Sequence, residues 1–273
     1  MTNPGSTLLA VHLDRSSMLR PLLPALRTGL ADLLDAHAAE PGELQVVLST
    51  GTDLTRQLPD GSHPPAVPVS AAEARAALPA RLRALDGPDL RIGAARLLDA
   101  VGDELAARDE TDRPERVVVL LVGEAAVGDT TEARERITHQ QAEYAWEFGL
   151  VDITSGGIPA ARRSVPADAA EVGAEQAGTA EGESEGHAGA VALAEAPDPT
   201  AAAARFGVPA SATITAGPGA EGVTAALAAA SSFVSRARAA APRGPVEGFS
   251  ADERAAADVA DTRPGWRRLL RIA

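Results

Sequence analysis

The residues best suited by type to do chemistry form one short run, His12-Leu13-Asp14-Arg15-Ser16-Ser17-Met18. A carboxylate and two hydroxyls so close together are hard oxygen donors, the kind that Mg²⁺ requires in near-octahedral ligation. The same residues suit a second task. Asp14 and Ser16 can accept hydrogen bonds from exposed backbone N–H groups, as a turn and N-cap pair does at the start of a helix.

Other chemistry is poorly supplied. The five histidines, His12, His37, His63, His139 and His187, show no metal-ligand spacing such as i, i+4. His12 lies in an apolar run and reads as a core imidazole rather than a base. With no cysteine the chain has no disulfide, zinc-thiolate site or thiol nucleophile. "GPGAEG" (Gly217 to Gly222) stands where a phosphate loop would, but it lacks the Gly-x-x-x-x-Gly-Lys frame and reads as a turn. No Gly-x-Ser-x-Gly elbow is present. Carboxylate pairs such as Asp32 and Asp35 fall at helical spacing and read as a solvated face.

The elements that must position "HLDRSSM" follow from hydrophobic periodicity. Ser6 to Leu13 is apolar on both faces, as a central parallel strand is. Leu19 to Leu34 carries leucine at helical spacing, and "EPG" ends that helix. Strands are expected at Glu43 to Thr50, at Ala66 to Ser70 as a proline-bearing edge, at Arg116 to Gly123, at Leu150 to Thr154 and at Ser211 to Thr215. Helices are expected at Ala71 to Leu85, Ile92 to Arg108, Thr131 to Phe148, Thr200 to Phe206 and Glu221 to Ala240. In the Thr131 to Phe148 helix, Ile137, Tyr144 and Phe148 form the apolar face. Strands alternating with helices predict an α/β fold, a doubly wound and mostly parallel central sheet with helices on both faces. Such sheets bind ligands beyond the carboxyl ends of their strands, where "HLDRSSM" lies.

At 273 residues and 45% hydrophobic, the chain can bury a substantial core. Lysine is absent and asparagine occurs only at Asn3, a bias matching a GC-rich coding genome. The opening lacks the basic and apolar regions of a signal peptide, and no window is apolar for 18 residues, so a cytoplasmic protein is expected. A net charge of -13 argues against nonspecific nucleic-acid binding, since an acidic surface repels a polyanion. Residues 164 to 200 hold eight acidic side chains and no arginine. With few large apolar groups, this stretch is expected to be a disordered acidic insertion at about 164–199, suited to a basic partner surface. The tail, "RPGWRRLLRIA", sets Trp266 and two leucines against Arg267 and Arg268. It suits docking on its own domain, or binding to an external partner or a membrane surface.

The order of these stretches resembles a von Willebrand factor type A (vWA) domain of the bacterial intracellular kind, over roughly Ser6 to Ala240. The residues that carry the resemblance are "DRSSM" (Asp14 to Met18), "GAARLLDAV" (Gly93 to Val101), "LLVGEA" (Leu120 to Ala125), "QQAEYAWEFGLVDI" and the closing strand and helix. The resemblance implies residues 1–240 as a vWA-like domain and 241–273 as a C-terminal tail. In that family two serines, a threonine and water-bridged carboxylates hold Mg²⁺ for an acidic ligand. Here Asp14 and Ser16 remain, while Met18 replaces the second serine with a soft thioether, Ala95 replaces the threonine, and no aspartate ends the third strand. Glu124 or Asp129 could reach inward as substitutes. The expectation is therefore a non-enzymatic protein-interaction or scaffold module with a degenerate metal site and no cofactor. The alternatives are a Mg²⁺-dependent binder of a partner carboxylate and a Rossmann-like nucleotide-using enzyme. The latter is disfavoured because no Gly-x-Gly-x-x-Gly turn follows the first strand.

Overall fold

Strand β1 (Asn3–Leu13) is buried from Ser6 onward, and β4 (Pro114–Gly123) is buried along nearly its whole length. Side chains on both faces of these strands leave water, so helices must cover both sides of the sheet. The computed structural model describes residues 2–14, 17–50, 54, 58, 64–82, 90–125, 129–153 and 199–258, with Ser17, Met18 and Pro199 described by backbone alone. Residues 164–198 of the expected acidic insertion lie outside the described residues, as do Ser16, Trp266, Arg267 and Arg268.

Among the described residues six strands form one sheet in the order β3-β2-β1-β4-β5-β6. Strands β2 (Glu43–Ser49), β1, β4, β5 (Glu147–Ile153) and β6 (Thr213–Ala216) run parallel, and β3 (Val69–Ser70) pairs antiparallel to β2 at the edge. This is the doubly wound α/β class expected. Strand order reverses between β1 and β4, so the crevice of the sheet opens beyond their carboxyl ends.

Helices α1 (Leu23–Ala39), α2 (Ala71–Arg81), α3 (Leu90–Ala107), α4 (Thr131–Tyr144), α5 (Pro199–Phe206), α6 (Ala220–Ala239) and α7 (Ala251–Ala257) surround it. Helices α1 and α6 pack together, and Gly29 sets their approach: a Cβ there would lie 2.6 Å from Leu227 Cδ1. None of the described helices is long and apolar enough to cross a membrane.

Three elements differ from expectation. Residues Ser17–Leu22 form a 3-10 turn containing Pro21, so α1 starts at Leu23 rather than Leu19. Proline fits the first turn of an α-helix but not its interior, and Pro24 occupies that first turn. Helix α4 stops at Tyr144, because Ala145 takes a left-handed conformation (φ 55°) and Trp146 N–H closes the end on Gln140 O at 3.3 Å. Glu147 to Gly149 are therefore strand, Phe148 is buried from β5, and Tyr144 is 59% exposed rather than part of an apolar face. Lastly, α7 packs on α6 and β6 within residues expected to begin a tail. Its Ser250–Glu253 capping box starts the helix, and Arg254 takes up the carbonyls of Ala210, Ser211 and Thr213 beside β6.

Candidate functional site

The switch point is built from three adjacent strand tips. Asp14 follows β1 and donates its N–H to Val122 O at 2.8 Å, which extends the ladder onto β4. The register of β4 and β5 sets Asp152 beside Gly123 on the opposite flank. Each carboxylate then reaches the turn after β4. Asp14 Oδ2 accepts from Glu124 N–H at 3.3 Å, and Asp152 Oδ1 accepts from Ala125 N–H at 2.9 Å. Two consecutive amides are thus held by carboxylates from the two neighbouring strands, charge-assisted bonds that fix the turn's path. Gly123 makes room for this, since a Cβ there would fall 2.2 Å from Asp14 Cβ.

Both carboxylates are buried, Asp14 at 2% exposure and Asp152 at 1%. Burial pushes the Asp152 carboxyl above its usual range; the Ala125 N–H opposes this and the Glu124 charge adds to it. Asp152→Ala should leave the Ala125 N–H unmet and cost ~1–3 kcal/mol of stability. Asp152→Asn, which keeps an accepting oxygen and no charge, should stay within ~1 kcal/mol of the parent in chemical denaturation. Equal losses from the two changes would show that the bond to Ala125 is not what Asp152 supplies.

The other residues singled out by sequence fall as follows. Ser16 and the Met18 side chain are outside the described residues. The turn that Asp14 and Ser16 are expected to cap includes Arg15 and Ser16, which lie outside the described residues, while α1 itself begins at Leu23 with Leu22 as N-cap and no side-chain cap bond. The Asp14 carboxylate also reaches across the sheet to Glu124 N–H. Ala95 sits inside α3, buried, and contributes only a methyl. Asp129 is exposed and turned toward α4: its Oδ1 accepts from Thr131 N–H at 2.9 Å and from Thr131 Oγ1 at 2.6 Å, which holds its pKa below the ordinary value. Glu124 is half-buried beside Asp152. Among the described residues no group of three or more His, Asp or Glu side chains is placed to hold a metal ion.

His12 lies one strand position before the tip of β1 and is wholly buried. Its Nδ1 is 3.2 Å from Ser49 Oγ, Nε2 has no hydrogen-bond partner, and the ring packs on the backbone of Gly93. Burial draws its pKa from 6.5 down to about 3, so the imidazole is neutral. Asp152 went unnoticed in the sequence. The signal was a single acid inside an otherwise apolar strand, "LVDI", which requires a buried partner for its carboxylate.

No family model matches the chain, and no curated protein matches it. Among solved structures, proximal thread matrix protein 1 from the mussel byssus is 16% identical over 55% of this chain and 36% of its own, with a TM-score of 0.37. A von Willebrand factor type A protein from Catenulispora acidiphila is 17% identical over 55% of this chain and 33% of its own, TM-score 0.30. The pilus adhesin SpaC from Lactobacillus rhamnosus GG is 14% identical over 55% and 25%, TM-score 0.35. The chain thus spans about a third or less of these proteins' lengths. The likenesses are too remote to bring a function with them.

Proposed function

We propose that the chain is a non-enzymatic protein-interaction module of the vWA kind, working without a bound metal. The observation that carries this reading is the use made of the two strand-tip carboxylates. Asp14 and Asp152 each hold a backbone N–H of the turn after β4, so they fix a loop at the switch point. A small hard cation would compete with those amides for the same oxygens. Ala95 offers no oxygen from its side chain and Asp129 is turned to Thr131, which leaves few described donors toward the six that Mg²⁺ requires.

Acid–base catalysis finds little support at this edge. His12 is sealed from solvent and held neutral, and a general base must come within hydrogen-bond reach of its proton. The net charge of -13 disfavours nucleic acid, and the acid-rich stretch of residues 164 to 200 suits a protein partner with a basic surface. A cytoplasmic location is part of the same reading.

Calorimetric titration with Mg²⁺ and with Mn²⁺ tests the metal-independent reading. The expected result is no saturable binding in the micromolar range for either the parent or Asp14→Ala. Micromolar affinity abolished by Asp14→Ala would replace it with a metal-dependent binder of a partner carboxylate.

A further inference from the structure

A cleft lies at the other end of the sheet, away from Asp14 and Asp152. It has a volume of about 600 Å³ and opens between the carboxyl ends of α3 and α4, over the first residues of β4. That volume lies within the range of sites that enclose a small ligand or a few peptide side chains. We propose that this cleft binds an acidic peptide segment of a partner, taking an Asp or Glu carboxylate together with a neighbouring apolar side chain. The proposal rests on the interaction reading above and concerns a contact separate from the basic surface that residues 164 to 200 suit.

Three observations carry it. The first is a pair of unmet polar atoms among the lining residues. Arg113 Nε and Gln140 Oε1 are both buried without a hydrogen-bond partner. Arg113 does use its Nη2, on Ala106 O at 3.3 Å, and its inner Nε is the buried donor left unmet. A buried donor and a buried acceptor left unmet are each costly, and a ligand that answers both must bring an acceptor and a donor. A carboxylate next to a peptide N–H does so.

The second is charge. In a chain of net -13, this cleft is lined by Arg113, Arg116 and Arg243 against Glu110 and Glu115. Arg116 is occupied: it donates to Ala240 O and Ala241 O and lies 3.8 Å from Glu147. Glu115 accepts from Gly5 N–H. Arg243, held exposed at φ 56°, shows no bond or ion pair among the described residues. Arg113 serves the end of α3, as a cation at a helix carboxyl terminus does. Arg243 belongs to neither helix and remains available to an incoming carboxylate.

The third is an aromatic rim. Tyr144 is 59% exposed, with His139 edge-on to it at 5.8 Å, and Trp146 lies buried beneath. Tyrosine, tryptophan and arginine are the residues on which protein interfaces concentrate their binding energy. The helix-ending turn at Ala145 directs Tyr144 to solvent while folding Trp146 inward, so one turn creates both rim and floor.

The test pans a random heptapeptide display library on the full chain, then measures the recovered peptides by fluorescence polarisation. The expected result is enrichment of sequences with an Asp or Glu beside an aromatic or aliphatic residue. Affinity should fall tenfold or more in Arg243→Glu and in Tyr144→Ala, both exposed positions that folding tolerates, and in Gln140→Leu. Arg20→Glu, an equal charge change beyond the carboxyl end of β1, should leave it within twofold. Enriched acidic peptides that bind these variants equally well would reject the cleft while leaving an interaction module in place. No enrichment over an unrelated bait, or displacement of peptide by millimolar succinate as strongly as by excess unlabelled peptide, would reject the peptide proposal outright. The metal titration judges the broader reading separately.

Discussion

Gly93→Ala is expected to destabilise the protein by about 3 kcal/mol, the upper end of what inserting a methyl into a packed core costs. A Cβ at this position of α3 would lie 2.0 Å from His12 Cε1 and 2.1 Å from Nε2. The ring cannot simply step aside. It is wholly buried, and its Nδ1 is engaged with Ser49 on the neighbouring strand. Either α3 lifts from the sheet or the imidazole breaks its contact with Ser49, and both lose packing along β1.

A double-mutant cycle makes this specific. His12→Ala alone leaves a cavity and should also destabilise. In that background the Gly93 methyl gains space, so Gly93→Ala should cost far less than in the parent, giving a coupling on the order of 2 kcal/mol in urea unfolding. Strictly additive losses would mean that Gly93 is needed for its backbone freedom and not for the room it leaves His12.

The architecture was legible because its signals are local. Runs such as "RVVVLLVG" and the leucine stripe of α1 state their burial within a dozen residues, and alternation of strand with helix then restricts the topology. What escaped was set by contacts distant in sequence. Asp14 accepts from Glu124 N–H, 110 residues away, a bond no local pattern announces, because β4 lies beside β1. The partner of Asp152, Ala125, is likewise on another strand's loop.

Local signals also misled in two places. "AEYAWEF" continues the helical pattern of α4, and no glycine marks its end, because an alanine adopts the left-handed turn that glycine usually fills. Phe148 therefore reads as the helix's apolar face when it belongs to β5. Helix α7 is the reverse case. "SADE" at Ser250 to Glu253 is a capping box as clear as "SAAE" at Ser70 to Glu73, but without a long apolar stripe behind it the seven-residue helix blends into the tail.

Acidification from pH 7 should cost the fold several kcal/mol through one residue, His12. Its pKa is about 3 in the folded protein against 6.5 for the free side chain, with burial as the cause. Between those values the unfolded chain takes up a proton that the folded chain refuses. Stability therefore rises with pH across this window and is lost as pH falls through it. At about 1.4 kcal/mol per pKa unit the loss is on the order of 4 kcal/mol by pH 3, most of it complete by pH 4. Asp152 acts in the opposite sense, because its raised pKa makes the folded state the better proton acceptor just above pH 3.8 and partly offsets the loss there. The two are separable by window: from pH 6.5 down to about 5 His12 should dominate. Denaturation midpoints measured every half unit of pH should fall steeply over that interval for the parent. His12→Asn, which can keep a bond to Ser49 but carries no titrating ring, should show a nearly flat profile there, although it is less stable at pH 7. Parallel profiles for the two proteins would mean that the imidazole can be protonated inside the fold, and that the layer between β1 and α3 is open to water.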